Sequence, residues 1–584
     1  MHYDFLVKIP DVPGKITRRK KGPSVYIEYE YAREYKPEKQ YTIVKRANIG
    51  KQDPADPLMM QPAQNYYKHF PEATLPEKES AGIRSSCIRA GAFFVIADAV
   101  RKSRLDKIVG PAVGEDSGLL LDLAAYSLIS EDNAAQHYPD YAFNHPLFSR
   151  GMHIYSDAKI SAFLQGITDD QIVDFLNRWN EDRPHQQKIY ISYDSTNKKC
   201  QAGDIEMVEI GTSKDAAPEP VFNYSVAYDT DNQEPLFYEE YPGSIVDVSQ
   251  LEYMLDKAKA YGYRNSGFIL DRGYFSKRNI RYMDENGFDF IMFVKGLKKL
   301  VSDLVLANQG TFEKNRNCYI KSNDVYACTV ATKLYEDDGK DRYVHICFSF
   351  TRQSDEINEL QKKLNGMERH FEKYGDREFE FPDEYGNYYN LFYKDKKFLF
   401  AREKQDVVER EMNLCGYFAL VTSACMTAKD ALELYDRRDQ SEKLFCSDKT
   451  FLGNRPPGVH SDESASAKVF IGFVALIIRC RLHRALRDAK AAMPNKQNYM
   501  TVPAAMKELE KIELIRQFDG VYRLDHAVTA RQKVILQAFD ADELFIREKV
   551  GKLSEDLRRA AKYKSNGNTR EDGEDAKAED DGRY

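Results

Sequence analysis

Residues 188–196, KIYISYDST, decide how the middle of this chain is read. Apolar and aromatic side chains, with Ser192 among them, run from Ile189 to Tyr193 and stop at Asp194, so a buried strand is expected to end in a carboxylate. The pattern recurs at 266–276, SGFILDRGYFS, where Asp271 closes the run. Between them VFNYSVAYD and PLFYEEYPG read as further strands and VSQLEYMLDKAKAYG as a helix, and FDFIMFVKG follows as another strand. Strands followed by βα units predict an α/β sheet of mixed direction. Strand ends of open α/β sheets are where sites are built, although either aspartate alone would serve equally well in a turn or cap.

Outward from this block the texture changes. Residues 1–79 alternate in short stretches such as SVYIEYEYA between Pro/Gly turns, which predicts a small β-rich module. Residues 80–185 carry amphipathic helices, among them CIRAGAFFVIADAVRKSRL and ISAFLQGITDDQIVDFLNRWNE. The α/β block occupies 186–297. A largely β segment, 298–405, follows with a helical arm at 355–375, whose Ile357, Leu360, Leu364, Met367 and Phe371 form one apolar seam. That seam is too short for a coiled coil and is expected to pack on the segment's own sheet. Segment 406–495 returns to α/β texture, 496–562 is a helical region, and 563–584 is an acidic, disordered tail.

Composition sets limits. Hydrophobic residues at 42% and charged residues at 30% of 584 positions are ordinary for a folded chain of several parts. The longest apolar run, VFIGFVALII at 469–478, is about half of the ~20 residues a membrane helix needs, and no signal-peptide pattern opens the chain, so no membrane role is expected. Nine cysteines without a C-x-x-C pair disfavour a zinc ribbon and point to a reducing cytoplasm. The net charge of −7 is mostly the tail, whose 571–584 stretch holds seven acids and two bases. The body is near neutral and carries basic clusters at 14–22, GKITRRKKG, and 479–490, RCRLHRALRDAK.

The remaining motif is LYDRRDQSEKLFCSDK, 434–449. Tyr435, Arg438, Glu442 and Lys449 are spaced by 3, 4 and 7. On one continuous helix those offsets fall within roughly 60° of arc. Asp436 and Asp439 are rival acids that lie off this stripe, and Arg438 with Glu442 could also be a simple intrahelical pair. Asp194, Asp271 and Glu442 together would supply hard oxygen donors of the kind magnesium or manganese prefers. Such a cluster can hold two divalent ions ~4 Å apart for phosphodiester chemistry. His460 falls in the loop beyond and is expected to be structural or to contact phosphate.

The order YDST with Asp194, LDRGYFS with Asp271, and Y-x2-R-x3-E-x6-K at Tyr435, Arg438, Glu442 and Lys449 resembles the DDE transposases of the insertion-sequence-four superfamily, in particular its larger bacterial members. The resemblance covers about 80–545 and implies an RNase H-like core in two parts, 186–297 and 406–495, interrupted by the β-rich insertion at 298–405; 171 positions separate Asp271 from Glu442. It implies metal-dependent cleavage at element ends and strand transfer, with Asp194, Asp271 and Glu442 as catalytic metal ligands for two Mg (or Mn) ions. Tyr435, Arg438 and Lys449 would contact DNA, and 80–185 would be a DNA-binding domain. The partners implied are double-stranded DNA, both element ends and target, and a second copy of the chain in a homodimeric DNA complex in the bacterial cytoplasm at the nucleoid. A domesticated DNA-binding protein and an RNase H-fold nuclease without strand transfer are the alternatives. Hairpin-forming relatives stack a flipped base on an insertion tryptophan. The single tryptophan here, Trp179, lies instead in the helical domain, leaving Tyr319, Tyr326, Tyr335 and Tyr343 as candidate substitutes in the insertion.

Overall fold

The computed structural model describes residues 2, 6–36, 41–54, 56–73, 84–183, 188–200, 205–212, 218–245, 247–440, 443, 459, 461–494, 497–517 and 520–567. Among them no helix is long and apolar enough to cross a membrane. The N-terminal module is a five-stranded antiparallel sheet of β1 (Val7–Lys8), β2 (Ile16–Lys21), β3 (Ser24–Lys36), β4 (Tyr41–Gln52) and β5 (Met59–Pro62), in the order β1-β5-β4-β3-β2. The short helix α1 (Gln64–His69) follows, and Ile27, Ile49 and Met60 form the module's small core.

The helical domain opens with a strand, β6 (Cys87–Arg89), before α2 (Gly91–Lys102), α3 (Leu105–Val113), α4 (Ser117–Ser130), α5 (Tyr138–Asn144), α6 (Asp157–Gly166) and α7 (Asp169–Glu181). A capping box at Thr168 and Gln171 starts α7. Trp179 on that helix is fully buried, and its Nε1 donates to the Pro235 carbonyl at 2.9 Å, which fixes the helical domain on the central sheet.

The central sheet begins with β7 (Ile189–Lys199), β8 (Glu209–Thr212), β9 (Pro218–Asp229) and β10 (Glu234–Pro242). After α8 (Asp247–Ala260) come β11 (Ser266–Leu270), α9 (Lys277–Glu285) and β12 (Asp289–Phe293). The order β10-β9-β7-β11-β12, antiparallel up to β7 and parallel from there to β12, is RNase H-like. The strands β11 and β12, and β7 as far as Tyr193, are largely apolar because helices cover both faces.

Past α10 (Lys298–Asn308), the strands β13 (Tyr319–Ile320), β14 (Val325–Thr332) and β15 (Arg342–Phe348) do not form a sheet of their own. They extend the central sheet in the order β12-β18-β15-β14-β13, where β18 is Tyr417–Thr422. What stands apart is a smaller unit of α11 (Phe350–Tyr374), α12 (Asp383–Tyr388), β16 (Tyr389–Lys394), β17 (Lys397–Glu403) and α13 (Gln405–Leu414). Leu360, Leu364 and Met367 of α11 are buried there against Tyr388, Tyr389 and Val408, so its seam is covered within the unit. Gly416 returns the chain to the sheet with φ +87°, and a Cβ there would lie 2.6 Å from the Gln353 Cβ. Only glycine fits that approach.

After β18, α14 (Ala428–Tyr435) leads to the site, and α15 (Asp462–Ala492) crosses between the sheet and the helical domain. The apolar run Val469–Ile478 is buried all round in α15, which explains a hydrophobic stretch with no polar face. The C-terminal region, α16 (Val502–Leu509), β19 (Glu513–Arg516), β20 (Tyr522–Leu524), α17 (Ala530–Gln537) and α18 (Glu543–Gly567), closes on the helical domain by pairing β19 with β6.

Candidate active site

The last parallel rung between β7 and β11 pairs Tyr193 with Leu270. Asp194 and Asp271 are the next residue on each strand, so the two carboxylates leave the sheet side by side. Asp194 differs from the expected strand end in one respect. The strand β7 continues to Lys199, because β9 keeps pairing with it on the other side after β11 has stopped.

Both aspartates are held alike. Asp194 Oδ1 accepts from the Ser195 N–H at 2.9 Å, and Asp271 Oδ1 accepts from the Gly273 N–H at 2.8 Å in a tight turn. Their other oxygens meet one cation. Arg438 Nη2 is 3.0 Å from Asp271 Oδ2 and 3.7 Å from Asp194 Oδ2. Asp194 is buried, whereas the Asp271 side chain is 36% exposed, so the pair sits at the rim of the sheet and is reachable from solvent.

Arg438 arrives from a backbone that is not one continuous α-helix. The helix α14 ends at Tyr435 and tightens into a 3₁₀ turn at Asp436–Arg438. Two contacts fix the turn: Asn323 donates to Asp436 Oδ2 at 2.6 Å, and Arg437 pairs with Asp231 in the β9–β10 turn. Asp436 is thereby directed away from the site. Asp439 is exposed and lies 3.9 Å from Lys443. Tyr435 is buried against Phe293, with ring centroids 4.6 Å apart, and its hydroxyl accepts from Arg438 Nη1 at 3.4 Å. Burial pushes that hydroxyl up to about 12, so it stays protonated and can donate to a phosphate.

The structure thus brings together Asp194, Asp271, Tyr435 and Arg438. Glu442, Lys449 and His460 lie outside the described residues. Among the described residues no three His, Cys, Asp or Glu side chains converge as a metal group. The donor chemistry of Asp194 and Asp271, two hard oxygens turned toward a common cation, fits a divalent ion. Sequence reasoning missed Asn323 and Phe293, which seat the turn bearing Arg438; no local pattern connects them to it, since each reaches it through the sheet. The Gly273 amide was legible in principle, as D-R-G is a turn pattern; the Ser195 amide belongs to the part of β7 that continues past Asp194.

Of the basic clusters, the 479–490 one is partly committed to structure: Arg479 is buried and Arg484 donates to the Asn232 carbonyl at 2.9 Å. Tyr319 is 38% exposed and donates to Asp324, at 2.8 Å, in the β13–β14 turn.

With this geometry in place, residues 193–478 match the family model described as the transposase DDE domain. This stretch is similar to a transposase DDE domain. The matched span opens one residue before Asp194 and includes Asp271, Tyr435 and Arg438 as well as the segment holding Glu442 and Lys449. Among solved structures, the chain is similar to a piggyBac transposase in a synaptic complex with hairpin DNA, at 8% identity and a TM-score of 0.30. That similarity covers 65% of this chain and 60% of the length of the other. No curated protein sequence matches the chain.

Proposed function

We propose that this protein is a DNA transposase of a bacterial insertion sequence, which cuts at its element's ends and joins the freed 3′-hydroxyl to target DNA. The observation that carries the reading is the placement of Asp194 and Asp271 one step beyond the last β7–β11 rung, each with Oδ1 held by a backbone N–H and Oδ2 turned to a shared cation. In this reading the two aspartates, with Glu442 as a third carboxylate, hold divalent magnesium or manganese. Such ions would lower the pKa of the attacking hydroxyl and offset charge on the leaving oxygen. Arg438 stands within reach of both aspartates and would exchange those contacts for a bidentate contact to a DNA phosphate. Tyr435 would donate its protonated hydroxyl to the same strand, and Lys449 would add a further cation.

The helical domain at 80–185 is assigned to DNA binding, and the DNA complex to a homodimer, because two ends must be held for joining. Cytoplasmic location at the nucleoid follows from that substrate. The test is a gel assay on cognate element ends with and without magnesium. Cleavage and joining should require the ion and vanish in Asp194→Asn, Asp271→Asn and Glu442→Gln, while binding of the ends persists. Wild-type cutting by Glu442→Gln with loss in Asp439→Asn would move the third carboxylate to Asp439.

A further inference from the structure

The unit formed by α11 to α13 carries a β-ribbon whose outer face is left exposed among the described residues. The inner face of β16 and β17, with Tyr389, Leu391 and Ala401, packs on α11 and its neighbours. Along β17, the segment at 376–378 closes one edge: Asp376 N donates to the Phe398 carbonyl and Phe398 N to the Arg377 carbonyl, both at 2.9 Å. The outer face is open. Cross-strand partners Phe392 and Phe400 stack there with centroids 4.6 Å apart and planes 19° apart, and they are 40% and 54% exposed. Leu399, 42% exposed, stands beside them. Two large apolar rings left stacked in water need an explanation.

The register explains how cations reach the same face. Phe392 pairs with Phe400, but the next rung pairs Tyr393 with Phe398, so Leu399 is an extra residue. This bulge shifts the alternation by one and turns Lys397 to the outer side, opposite Lys394, while Phe398 turns inward and is buried. The face therefore reads Asn390–Arg402, then Phe392–Phe400, then Lys394–Lys397. The connection, Asp395 and Lys396 at φ +49° and +64°, is a tight two-residue turn that adds another lysine at the tip. Residues 389–404 hold five bases and two acids in a chain whose net charge is −7. Among the described residues Lys394, Lys396, Lys397 and Arg402 make no ion pair.

The geometry points to this ribbon as a duplex-DNA contact that enters the major groove, a site separate from the aspartate pair. A second copy of the chain would place like charges face to face, so the charge pattern favours a polyanion. The Arg402 rung and the Lys394–Lys397 rung are four residues apart along β16, about 13 Å. The major groove is about 12 Å wide and admits a two-stranded ribbon, so cations at that spacing would meet the phosphates on its two walls. The Phe392–Phe400 pair would then lie on the groove floor, where the thymine methyl is the apolar group to be met. The inference rests on the reading of the chain as a DNA-acting protein.

The test measures binding of the full-length protein to a fluorescein-labelled mixed-sequence duplex and to one of its single strands, by anisotropy across a salt series. The triple variant Lys394→Ala, Lys397→Ala, Arg402→Ala should bind the duplex more weakly and reduce the salt slope by about three. Phe392→Ala with Phe400→Ala should weaken binding about tenfold at an unchanged slope. A duplex carrying uracil in place of thymine should weaken the wild type to a similar extent and leave that double variant unaffected. All of these positions are exposed, so unchanged melting temperatures are expected and verify the fold. Wild-type affinity and slope in the triple variant would overturn the inference, as would losses confined to the single strand or a change of oligomeric state with duplex binding intact. If the wild type itself binds no duplex, the reading of the chain as a transposase fails instead.

Discussion

Asp122 in the helical domain and Asp194 in the sheet are both buried aspartates, yet they are used in opposite ways. Asp122 on α4 gives both oxygens to one segment: Oδ1 takes the Phe148 N–H at 2.5 Å, and Oδ2 takes the Ser149 N–H at 3.1 Å as well as its hydroxyl. Asp194 and Asp271 each give one oxygen to a neighbouring amide and turn the other toward Arg438. A carboxylate whose oxygens are all committed to its own chain fastens structure. One that turns an oxygen toward a cation near the surface has the geometry of a ligand site, which is the role proposed for Asp194 and Asp271. Burial alone does not separate the two; the direction of the second oxygen does.

Substitutions at the two places break or sharpen that contrast. The largest effect is expected at the sheet. Asp194→Asn or Asp271→Asn should lower cleavage of element ends roughly a thousandfold or more, the several kcal/mol that metal-assisted chemistry supplies, with little change in melting temperature. Asp122→Asn should do the reverse. Its amide would face the Ser149 donors, and stability measured by urea unfolding should fall by about 1–3 kcal/mol, while cleavage per folded molecule is unchanged. If Asp122→Asn abolished cleavage in a folded protein, the distinction would collapse.

A pH effect belongs to the structural acids. Burial pushes Asp122 up to about 7, and burial does the same to Glu240 on β10, also to about 7. In the unfolded chain these groups titrate near ordinary carboxylate values. Between about pH 4 and 7 the folded state therefore holds protons that the unfolded state has released, and stability falls as pH rises through that window. Urea midpoints across the window should show this slope, and it should flatten in Asp122→Asn and Glu240→Gln. A slope identical to wild type in both variants would show that neither group is buried as described.

The smallest effect expected is at Arg438. Replacing it by alanine should weaken binding of element ends modestly and reduce the dependence of log affinity on log salt by about one, as for one lost phosphate contact. An unchanged slope would confine Arg438 to the aspartates.

The parts of this site carried by local pattern were legible in the sequence, and the parts carried by distant pairing were not. Mainly apolar runs closing at Asp194 and Asp271 located β7 and β11, because a strand covered on both faces is built mostly from apolar side chains. The continuation of β7 past Asp194 depends on β9, which no local period reveals. The stripe from Tyr435 assumed an unbroken helix. The 3₁₀ turn at Asp436–Arg438 is held from outside, by Asn323 more than a hundred positions earlier and by Asp231. The largely β character of 298–405 is legible from its residues, but the joining of its strands at 319–348 to the central sheet through β18 is a choice among edges that alternation does not specify. The apolar seam of α11 was legible because it is local, and so was its burial within its own unit.

The most direct test of the paired-aspartate site is manganese binding by the full-length protein, followed by electron paramagnetic resonance in the presence of end DNA. Wild type and Asp122→Asn should bind the ion alike, and Asp194→Asn and Asp271→Asn should each lose most of that binding. Equal manganese binding by Asp271→Asn and wild type would contradict the assignment of these two carboxylates as ligands.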